Sequence, residues 1–461
     1  MTASTSMSDR ARHGDLAWQQ ALARLRQPAT IRARCVAITA QVTAGASPHF
    51  TLERSRLPAV AQRIATLTRA RFPDLAIPYH SRWRHFEAGA VDRKALLDDA
   101  LRQDALRHGG VAFSGHLASV RARIDLALIS VLLDAGAGPA WRYQEARTGL
   151  SLGRSEGLAV ASFDAFLAGR FSSAADQPLR VDAAALLALR EADLAAIFQV
   201  RDDNPLVGLA GRTALLHRLG AALLEQPHTF TPLGRPGFLF DALTQAPAQT
   251  GAAPAADATA PVAAAALLGL LLDAFSAIWP SGQWFGPGEA TGQPGLRLPL
   301  GDAWPHPAAV DPAGAADEPV TPDAGWVPFH KLSQWLTYSL LEPFEWAGVP
   351  VTGLDALTGL PEYRNGGLLI DAGVIVPRDP AFGAAPRTPA DPWVIEWRAL
   401  TLALLDELAP LVRAELGVTA AQLPLACILE GGSWAAGRQI AAERRLGGAP
   451  PVAIDSDGTV F

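Results

Sequence analysis

Apolar residues recur at helical spacing along most of the chain. In SVRARIDLALISVLLDAG, Ile124, Leu128 and Leu132 lie four residues apart on one helix face. The segment DPWVIEWRALTLALLDELAPLVRAELG begins with Asp391 as a predicted N-cap and Pro392 at the first helical position. Few segments alternate with the period of two that marks a strand, and short strands are expected only around GFLFDAL and PVAIDSDGTVF. The pattern therefore predicts a mainly α protein with few short strands.

Two low-complexity stretches interrupt the helical pattern. Residues 244–261, TQAPAQTGAAPAADATAP, are predicted to be a mobile linker, and residues 378–392 form a proline-rich connection. The apolar run 262–279 approaches the length of a membrane span, but it carries Asp273 and is followed by Pro280, so we expect a buried helix. The provisional division is a helical N-terminal domain, 1–175, and a helical domain, 176–461, that carries most candidate site residues.

The composition excludes several classes of partner. The net charge of −6 gives no basic surplus for a phosphate backbone, so we expect no nucleic-acid partner. Cys35 and Cys427 form neither a CxxC motif nor a disulfide framework, and the first 20 residues hold no apolar signal segment, which together favour a cytoplasmic protein. The sequence has no HxH, HExxH or GxSxG motif, so we expect no metal, no cofactor and no serine nucleophile.

The segment FHKLSQWLTYSLLEPFEWAGV carries neutral hydrogen-bonding side chains at helical spacing. His330, Gln334 and Tyr338 are four residues apart, with Thr337 beside them, and this face has no Asp, Glu or Arg. A solvated helix face usually carries such charges. Two interpretations stay open, an amphipathic surface helix and the wall of a buried polar cavity next to Trp335.

Two further segments concentrate polar groups. HSRWRHFEAGAVDR is either an exposed basic turn or an anion site, because arginine forks match phosphate and carboxylate oxygens. LTGLPEYRNGGLLID is either a surface loop or a pocket-lining turn whose glycines let backbone approach a ligand. GGSWAAGRQIA lacks the Lys-Ser/Thr of a phosphate loop and is predicted to be a turn before a helix.

Three charged residues in predicted helices have alternative roles. Asp125 follows Arg121 by four positions, so it is either an i,i+4 partner of that arginine or a ligand contact. Glu396 and Arg398 are two positions apart, and their directions on a helix differ by about 200°. Only one of the two is therefore expected to face a given pocket.

Six blocks of the sequence resemble the uracil-catabolism family once classed as a domain of unknown function. They run from about residue 80 to the C-terminus and are HSRWRHFEAG, GLSLGRSEGLAVASF, FHKLSQWLTYSLLEPFEWAGV, LTGLPEYRNGGLLIDAGV, IEWRALTLALLDELA and ILEGGSWAAGRQIAAERR. The resemblance implies a role in a pathway that opens uracil-derived ribosides through a ribosylurea intermediate and releases urea. It does not by itself assign the step.

A second resemblance bears on the step. The order of RIDLALISVLLDAGAGPAW, NPLVGLAGR, FHKLSQWL, LTGLPEYRNGGLLIDAGVI and IEWRALT is similar to the queuosine-nucleotide N-glycosidase family, which implies a helical, DNA-glycosylase-like core. The matching positions are Asp125, His330-Lys331, Glu362-Tyr363-Arg364 (where that family has Asp-Tyr-Arg) and Glu396-Trp397-Arg398. An acidic residue that the family has just before its His-Lys pair is absent here, where residues 326–329 read WVPF.

Together these observations predict a hydrolase of an N-ribosidic bond, acting on a small-molecule ribosyl substrate, ribosylurea or its 5-phosphate. Glu362 is the first candidate for the catalytic carboxylate and Asp125 the second. The candidate substrate-binding residues are His80, Arg82, Trp83, Arg84, His330, Lys331, Gln334, Tyr338, Tyr363, Arg364, Asn365, Glu396 and Arg398. A ureido amidohydrolase or ring-opening hydrolase of the same pathway, and a non-catalytic binding protein for its intermediates, remain alternatives.

Overall fold

The computed structural model describes residues 7–107, 112–134, 136–245, 260–279, 282–287, 295–309 and 321–455. Helices dominate these ranges, so the predicted mainly α class is confirmed. Residues 246–259 of the predicted linker lie outside them, as do residues 456–461 of the predicted strand at the C-terminus. The likeness of the core to helical DNA glycosylases stays a prediction.

The connections between the helices vary from a few residues to the long segment between Phe275 and Lys331. In chain order they are α1 (Met7–Leu25), α2 (Pro28–Thr43), α3 (Leu57–Arg71), α4 (Arg82–Phe86), α5 (Arg93–Arg107), α6 (Ala112–Leu132), α7 (Arg154–Leu167), α8 (Ala183–Ala188), α9 (Glu191–Ile197), α10 (Leu209–Leu224), α11 (Pro227–Phe230), α12 (Leu239–Thr244), α13 (Ala264–Phe275), α14 (Lys331–Trp346), α15 (Tyr363–Asp371), α16 (Pro392–Leu416), α17 (Leu425–Ile428) and α18 (Trp434–Arg444).

The strands are two to four residues long and join in pairs. They are β1 (Phe50–Leu52), β2 (Tyr143–Gln144), β3 (Ser151–Leu152), β4 (Val262–Ala263), β5 (Gln283–Phe285), β6 (Leu298–Gly301), β7 (Ala303–Pro305), β8 (Trp326–Pro328), β9 (Val351–Thr352) and β10 (Ile375–Pro377). The pairs are β1–β10, β2–β3, β5–β6 and β7–β8, all antiparallel, and β4–β9, which is parallel.

Local sequence explains the start of the longest helix. The carboxylate of Asp391 accepts a hydrogen bond of 2.9 Å from the amide of Trp393, with Pro392 at the first helical position, as predicted. The apolar positions of α16 then pack against α2 and α3. The helix therefore links the two ends of the chain through its buried faces.

GFLFDAL does not form the predicted strand. A 3₁₀ turn, Pro236–Phe238, leads directly into α12. The amide of Gly237 donates to Oδ1 of Asp125 at 2.7 Å, so it is not available for a strand ladder. Leu239 and Phe240 are buried from the helix instead.

GGSWAAGRQIA is not a turn before a helix either. α17 continues through a π-helical segment, Leu429–Ser433, into α18. A Cβ atom on Gly432 would lie 2.6 Å from the carbonyl oxygen of Ile64, so glycine here permits close packing on α3. Such π-helical segments often occur at functional sites.

One main hydrophobic cluster joins both parts of the chain. It contains buried residues from Val42 to Val452, including those of α6, α13, α14 and α16. β1 pairs with β10, so the predicted domains, 1–175 and 176–461, share a core and strand contacts. Their boundary stays a prediction. The apolar helix α13 is buried in this cluster as predicted, and no helix in the described ranges has the length and apolarity needed to cross a membrane.

Candidate active site

Glu362 is the N-cap residue of α15, and its side chain is buried. Oε2 accepts a hydrogen bond of 2.7 Å from the amide of Arg364, and Oε1 accepts one of 2.6 Å from the amide of Asn365. These bonds satisfy two donors of the first helical turn and fix the orientation of the carboxylate. Burial raises the pKa of Glu362, while the two amides and the charge of Lys331 lower it in part.

Lys331 begins α14 and is half-buried near Glu362. Burial lowers the pKa of the Lys331 ammonium, and the negative charge of Glu362 is the largest influence in the opposite direction. Gln334 and Trp335 follow three and four positions later, so their side chains lie on the same side of α14 as Lys331. This side of the helix combines a cation, an amide and an indole.

Arg82 and Asp134 add a buried ion pair. Nη1 of Arg82 lies 3.0 Å from Oδ2 of Asp134, and Nε of Arg82 donates to Oγ of Ser130 at 2.7 Å. The guanidinium also lies 5.8 Å from the ring centre of Trp335. The charge of Asp134 acts on Lys331 as well, which connects the ion pair to α14. The central cluster, as we define it, comprises Arg82, Asp134, Lys331, Gln334, Trp335 and Glu362.

Several buried polar atoms of the central cluster have no hydrogen-bond partner within the described part of the chain. They are both amide atoms of Gln334, Nε1 of Trp335, Nη2 of Arg82 and Oδ1 of Asp134. Each such group costs about 1–3 kcal/mol of folding free energy, so native proteins contain few of them. Four neighbouring residues with unpaired atoms are typical of a site that binds a polar ligand. The set offers donors and acceptors together.

Two histidines flank the central cluster. Nδ1 of His80 lies 2.9 Å from Oε2 of Glu430, which belongs to the π-helical segment. The ring of His85 lies 5.8 Å from that of Trp335. Burial, followed by the positive charge of Arg82, lowers the pKa of His85 well below its ordinary value, so His85 is neutral near pH 7.

Asp302 attaches the start of α14 to α16. Its carboxylate accepts two bonds of 2.7 Å from Arg398 and one of 3.0 Å from the amide of Lys331. The backbone carbonyl oxygen of Asp302 accepts hydrogen bonds from the amides of Phe329 and His330. The sequence lacks the acidic residue that the queuosine-nucleotide family has before its His-Lys pair. The structure places Asp302 beside this pair through the pairing of β7 with β8.

Glu396 and Arg398 have different surroundings, as their spacing predicted. Oε2 of Glu396 accepts a hydrogen bond of 2.9 Å from Oγ of Ser47, and burial raises the pKa of Glu396. Arg398 faces Asp302 and lies 4.1 Å from the ring centre of Phe329. Arg398 supports the site, whereas Glu396 lies outside it.

Asp125 also lies outside the central cluster. Its Oδ1 accepts a hydrogen bond of 2.7 Å from the amide of Gly237, and its Oδ2 accepts one of 2.7 Å from Nε of Arg235. Arg121, its predicted i,i+4 alternative, pairs with Asp241 instead. Asp125 therefore joins helix α6 to the turn before α12, and its predicted pair with Arg121 is not formed. Its role as a ligand contact stays a prediction.

The predicted polar face of α14 divides between different environments. Nε2 of His330 lies 3.1 Å from the carbonyl oxygen of Leu25, and the backbone of His330 is left-handed, with φ of 46°. Oη of Tyr338 donates to the carbonyl oxygen of Thr358 at 2.6 Å. Of the predicted face, Gln334 enters the central cluster, while His330 and Tyr338 bind backbone elsewhere.

Trp83 and Arg84 pack against α14 outside the central cluster. Nε1 of Trp83 donates to the carbonyl oxygen of Ser339 at 3.0 Å. The guanidinium of Arg84 pairs with Glu342 at 2.6 Å and with Glu87 at 2.7 Å. Since its charge is matched by carboxylates, the basic turn has no surplus charge at this arginine for a ligand anion.

The residues after Glu362 extend the site toward the surface. Tyr363 is 36% exposed, and the side chain of Arg364 donates to the carbonyl oxygen of Gly448 at 3.0 Å. Oδ1 of Asn365 accepts a hydrogen bond of 2.9 Å from Oγ of Ser433, and this bond attaches α15 to the π-helical segment. PEYRN is therefore a helix start and not a surface loop.

The glycines of α15 serve packing between helices. A Cβ atom on Gly366 would lie 2.7 Å from the ring of Trp397, and one on Gly367 would lie 3.0 Å from Cδ of Pro451. The expectation that these glycines admit a ligand is therefore wrong, because both positions face protein atoms.

Sequence reasoning missed Asp134, Asp302, His85 and Glu430. Asp134 follows the end of α6, and Asp302 comes almost thirty residues before the segment that it supports. Only the pairing of β7 with β8 could have indicated Asp302. No group of three or more His, Cys, Asp or Glu side chains in the described ranges is placed to hold a metal ion. Burial raises the pKa of Cys427 to about 12, so this thiol is protonated.

Comparison with known proteins places the chain in a family. The family described as "Protein of unknown function (DUF1688)" matches residues 24–461. The protein named "Uracil catabolism protein 4" from Lachancea kluyveri is 37% identical over 441 residues, which cover 90% of this chain and 93% of that relative. "Protein urg3" from Schizosaccharomyces pombe is 38% identical over 417 residues, which cover 89% of this chain and 92% of that relative.

Proposed function

The chain belongs to the DUF1688 family, and from its relatives and its central cluster we propose that it hydrolyses an N-ribosidic bond in uracil catabolism. The name of the Lachancea relative supports the pathway. The substrate in this proposal is ribosylurea or its 5-phosphate, and the products are urea and the sugar. This assignment agrees with the resemblance to queuosine-nucleotide N-glycosidases.

The observation that carries the proposal is the position of Glu362 beside unpaired polar atoms in a buried site. Its two oxygens are held by backbone amides, so little reorganisation is needed when positive charge develops nearby. Cleavage of the C1–N bond proceeds toward an oxocarbenium-like state, as in other glycoside hydrolysis. The Glu362 carboxylate would stabilise that charge and accept a proton from the attacking water.

The leaving group also needs a proton, because urea departs poorly as an anion. Lys331 is a donor whose pKa burial lowers from the ordinary value, which makes proton transfer easier. The amide of Gln334 provides one donor and one acceptor, and a ureido group offers the complementary pair. Oδ1 of Asp134 and Nη2 of Arg82 remain for sugar hydroxyls.

Incubation of the purified protein with ribosylurea and with its 5-phosphate tests this function. Release of urea together with ribose or ribose phosphate is the expected result. Release of ammonia and carbon dioxide with the sugar amine would instead indicate a ureido hydrolase. Binding of either compound without any product would indicate the non-catalytic alternative. A double variant, Lys331→Met with Glu362→Gln, that keeps unchanged turnover would show that these two residues take no part in the chemistry.

A further inference from the structure

A surface pocket next to the central cluster is lined by arginines. It measures about 490 Å³, and its lining includes five arginines and one glutamate, Glu443. It lies between the start of α7 and the residues of α15 and α18, at Arg154, Arg364 and Arg438. In a chain with a net charge of −6, this concentration of cations needs an explanation.

Of the five arginines, Arg445 is neutralised by Asp371, whose Oδ1 accepts a hydrogen bond of 2.8 Å from Nη1 of Arg445. The guanidinium of Arg154 makes no hydrogen bond or ion pair within the described ranges. Arg438 reaches Glu156 only at 3.9 Å. Glu443 itself pairs with Arg63 at 3.0 Å, so it does not neutralise the pocket. The lining therefore keeps a surplus of positive charge.

Arg364 gives an independent indication of a ligand. Its side chain is 8% exposed, and its Nε is buried without a hydrogen-bond partner among the described residues. The one bond that its side chain donates to backbone goes to the neutral carbonyl of Gly448. A buried guanidinium with a neutral partner and an open donor is suited to bind an anion, because arginine forks match phosphate oxygens.

The pocket is connected to the central cluster through α15. Arg364 lies two residues after Glu362, and its guanidinium carbon lies 5.1 Å from the ring centre of Tyr363. The positive charge of Arg438 also acts on the half-buried ring of His85, which contacts Trp335. Arg364 and Glu362 lie at the same helix start, so an anion bound at Arg364 would be held by the element that carries the carboxylate.

We propose that Arg154, Arg364 and Arg438 form a phosphate subsite and that the substrate is the phosphate monoester, with its dianion held there. The inference rests on the proposed function, because it places the ribosyl end of the same molecule at Glu362. This inference assigns substrate selection and bond cleavage to different groups of residues. The pocket selects the phosphorylated compound, and the central cluster acts on the N-ribosidic bond.

The test compares kcat/KM for ribosylurea and its 5-phosphate in the wild-type protein and in Arg154→Gln, Arg154→Lys and Arg438→Gln. Arg154 is the cleanest position because its side chain has no partner in the described ranges to lose. Arg102→Gln is the matched control, since the side chain of Arg102 on α5 is 72% exposed and, among the residues that the structure describes, pairs only with Asp99. We expect the wild type to prefer the 5-phosphate by at least about 100-fold.

Each Gln variant should lose about 10- to 100-fold in kcat/KM for the 5-phosphate and little for ribosylurea. Arg154→Lys should recover part of this loss, and Arg102→Gln should behave as the wild type. Equal use of both compounds by the wild type, or equal losses for both in the Gln variants, would overturn the subsite.

A binding measurement separates this inference from the proposed function. Inorganic phosphate should raise the melting temperature of the wild type and of Arg102→Gln, and it should do so less for Arg154→Gln and Arg438→Gln. If neither riboside is hydrolysed, the proposed function fails while this difference still supports an anion subsite. If riboside hydrolysis occurs but phosphate neither binds nor inhibits, the subsite fails alone.

Discussion

Glu362, which is buried, and Lys331, which is half-buried, stabilise each other's charged forms. The charge of Lys331 lowers the pKa of Glu362, and the charge of Glu362 raises the pKa of Lys331, each against a larger effect of burial. The pair therefore holds an acid and a base whose pKa values are both displaced toward neutrality. Such displacement is useful for proton transfer near pH 7.

Glu362→Gln should lower kcat by a factor of roughly 10²–10³, equivalent to ~3–4 kcal/mol in the barrier. The substitution keeps the shape of the side chain and one acceptor for the helix start, but it removes the charge that opposes the oxocarbenium. Substrate binding should change far less. Steady-state kinetics with circular dichroism to verify folding would measure this. Near-normal turnover in a folded variant would remove Glu362 from the mechanism.

The control for that variant is Glu396→Gln. Glu396 is also buried, and burial likewise raises its pKa, but its partner is Ser47 and it lies outside the central cluster. Turnover close to that of the wild type is expected. A similar loss in both variants would show that any buried glutamate is needed for folding and not for the chemistry.

Activity should depend on pH through both members of the pair. Because the pKa of Glu362 is raised, kcat/KM should begin to fall at a higher pH on acidification than for an ordinary glutamate. Because the pKa of Lys331 is lowered, the alkaline loss should begin below the ordinary range of lysine. Lys331→Met should move the acidic limb to higher pH, since the charge that lowers the pKa of Glu362 is removed. An acidic limb that stays in place would contradict the coupling.

Gln334→Met should increase stability while decreasing activity. The substitution removes two buried atoms without hydrogen-bond partners in the described ranges, so the free energy of unfolding should rise by about 1–2 kcal/mol. Turnover should fall by about tenfold or more because the ureido group loses its amide partner. Urea denaturation and kinetics on the same preparation would test both effects. Lower stability with unchanged turnover would indicate that Gln334 has a structural role.

Asp125→Asn should affect stability more than turnover. The carboxylate holds the guanidinium of Arg235 and the amide of Gly237 at a buried position. Breaking a buried pair from one side costs about 3–5 kcal/mol, and Asn retains part of the hydrogen bonding, so we expect a loss of about 2–3 kcal/mol. Turnover per folded molecule should be nearly normal. A loss of more than 100-fold in a stable Asp125→Asn protein would restore Asp125 as the catalytic candidate.

His330 should make the protein less stable in mild acid. Burial lowers the pKa of His330 to about 4, from 6.5 in the unfolded chain, so the unfolded state binds the proton first on acidification. The stability that neutral His330 provides is full above pH 6.5 and is lost as the pH falls toward 4. Between pH 7 and pH 5 the expected contribution is about 2 kcal/mol.

His330→Asn isolates this contribution, because asparagine tolerates the left-handed backbone at this position. Denaturation curves at pH 7 and pH 5 should show a smaller difference for the variant than for the wild type. Equal differences would assign the acid sensitivity to another group, and His85 would be tested next.

The sequence predicted the long helices because their apolar positions keep the period of the structure that buries them. α16 begins at its predicted cap, and α6 contains its predicted stripe. The prediction of a strand in GFLFDAL was wrong because seven residues are too few to distinguish the helical period from the strand period. In addition, the amide of Gly237 in this segment donates to Asp125, which lies 112 positions earlier in the chain. Tertiary contacts of this kind leave no local signal.

The candidate site was predictable only in part for the same reason. Lys331, Gln334 and Glu362 belong to segments whose polar residues stand out in an apolar chain. Asp134 and Asp302 lie in unremarkable surroundings and become part of the site through a helix end and a strand pair. Gln334 faces the site, whereas Tyr338 on the same helix face donates to a backbone carbonyl. Which of these two environments a polar side chain meets depends on packing that the helical period does not determine.

The pairing of β1 with β10 has a consequence for synthesis of the protein on the ribosome. Phe50–Leu52 must wait for Ile375–Pro377, which emerge more than 300 residues later. At translation rates of about 5–20 residues per second, this interval is on the order of tens of seconds. During that time the strand edge and the apolar faces of α2 and α3 lack their C-terminal partners. These surfaces therefore stay without their native partners until Ile375–Pro377 have been made.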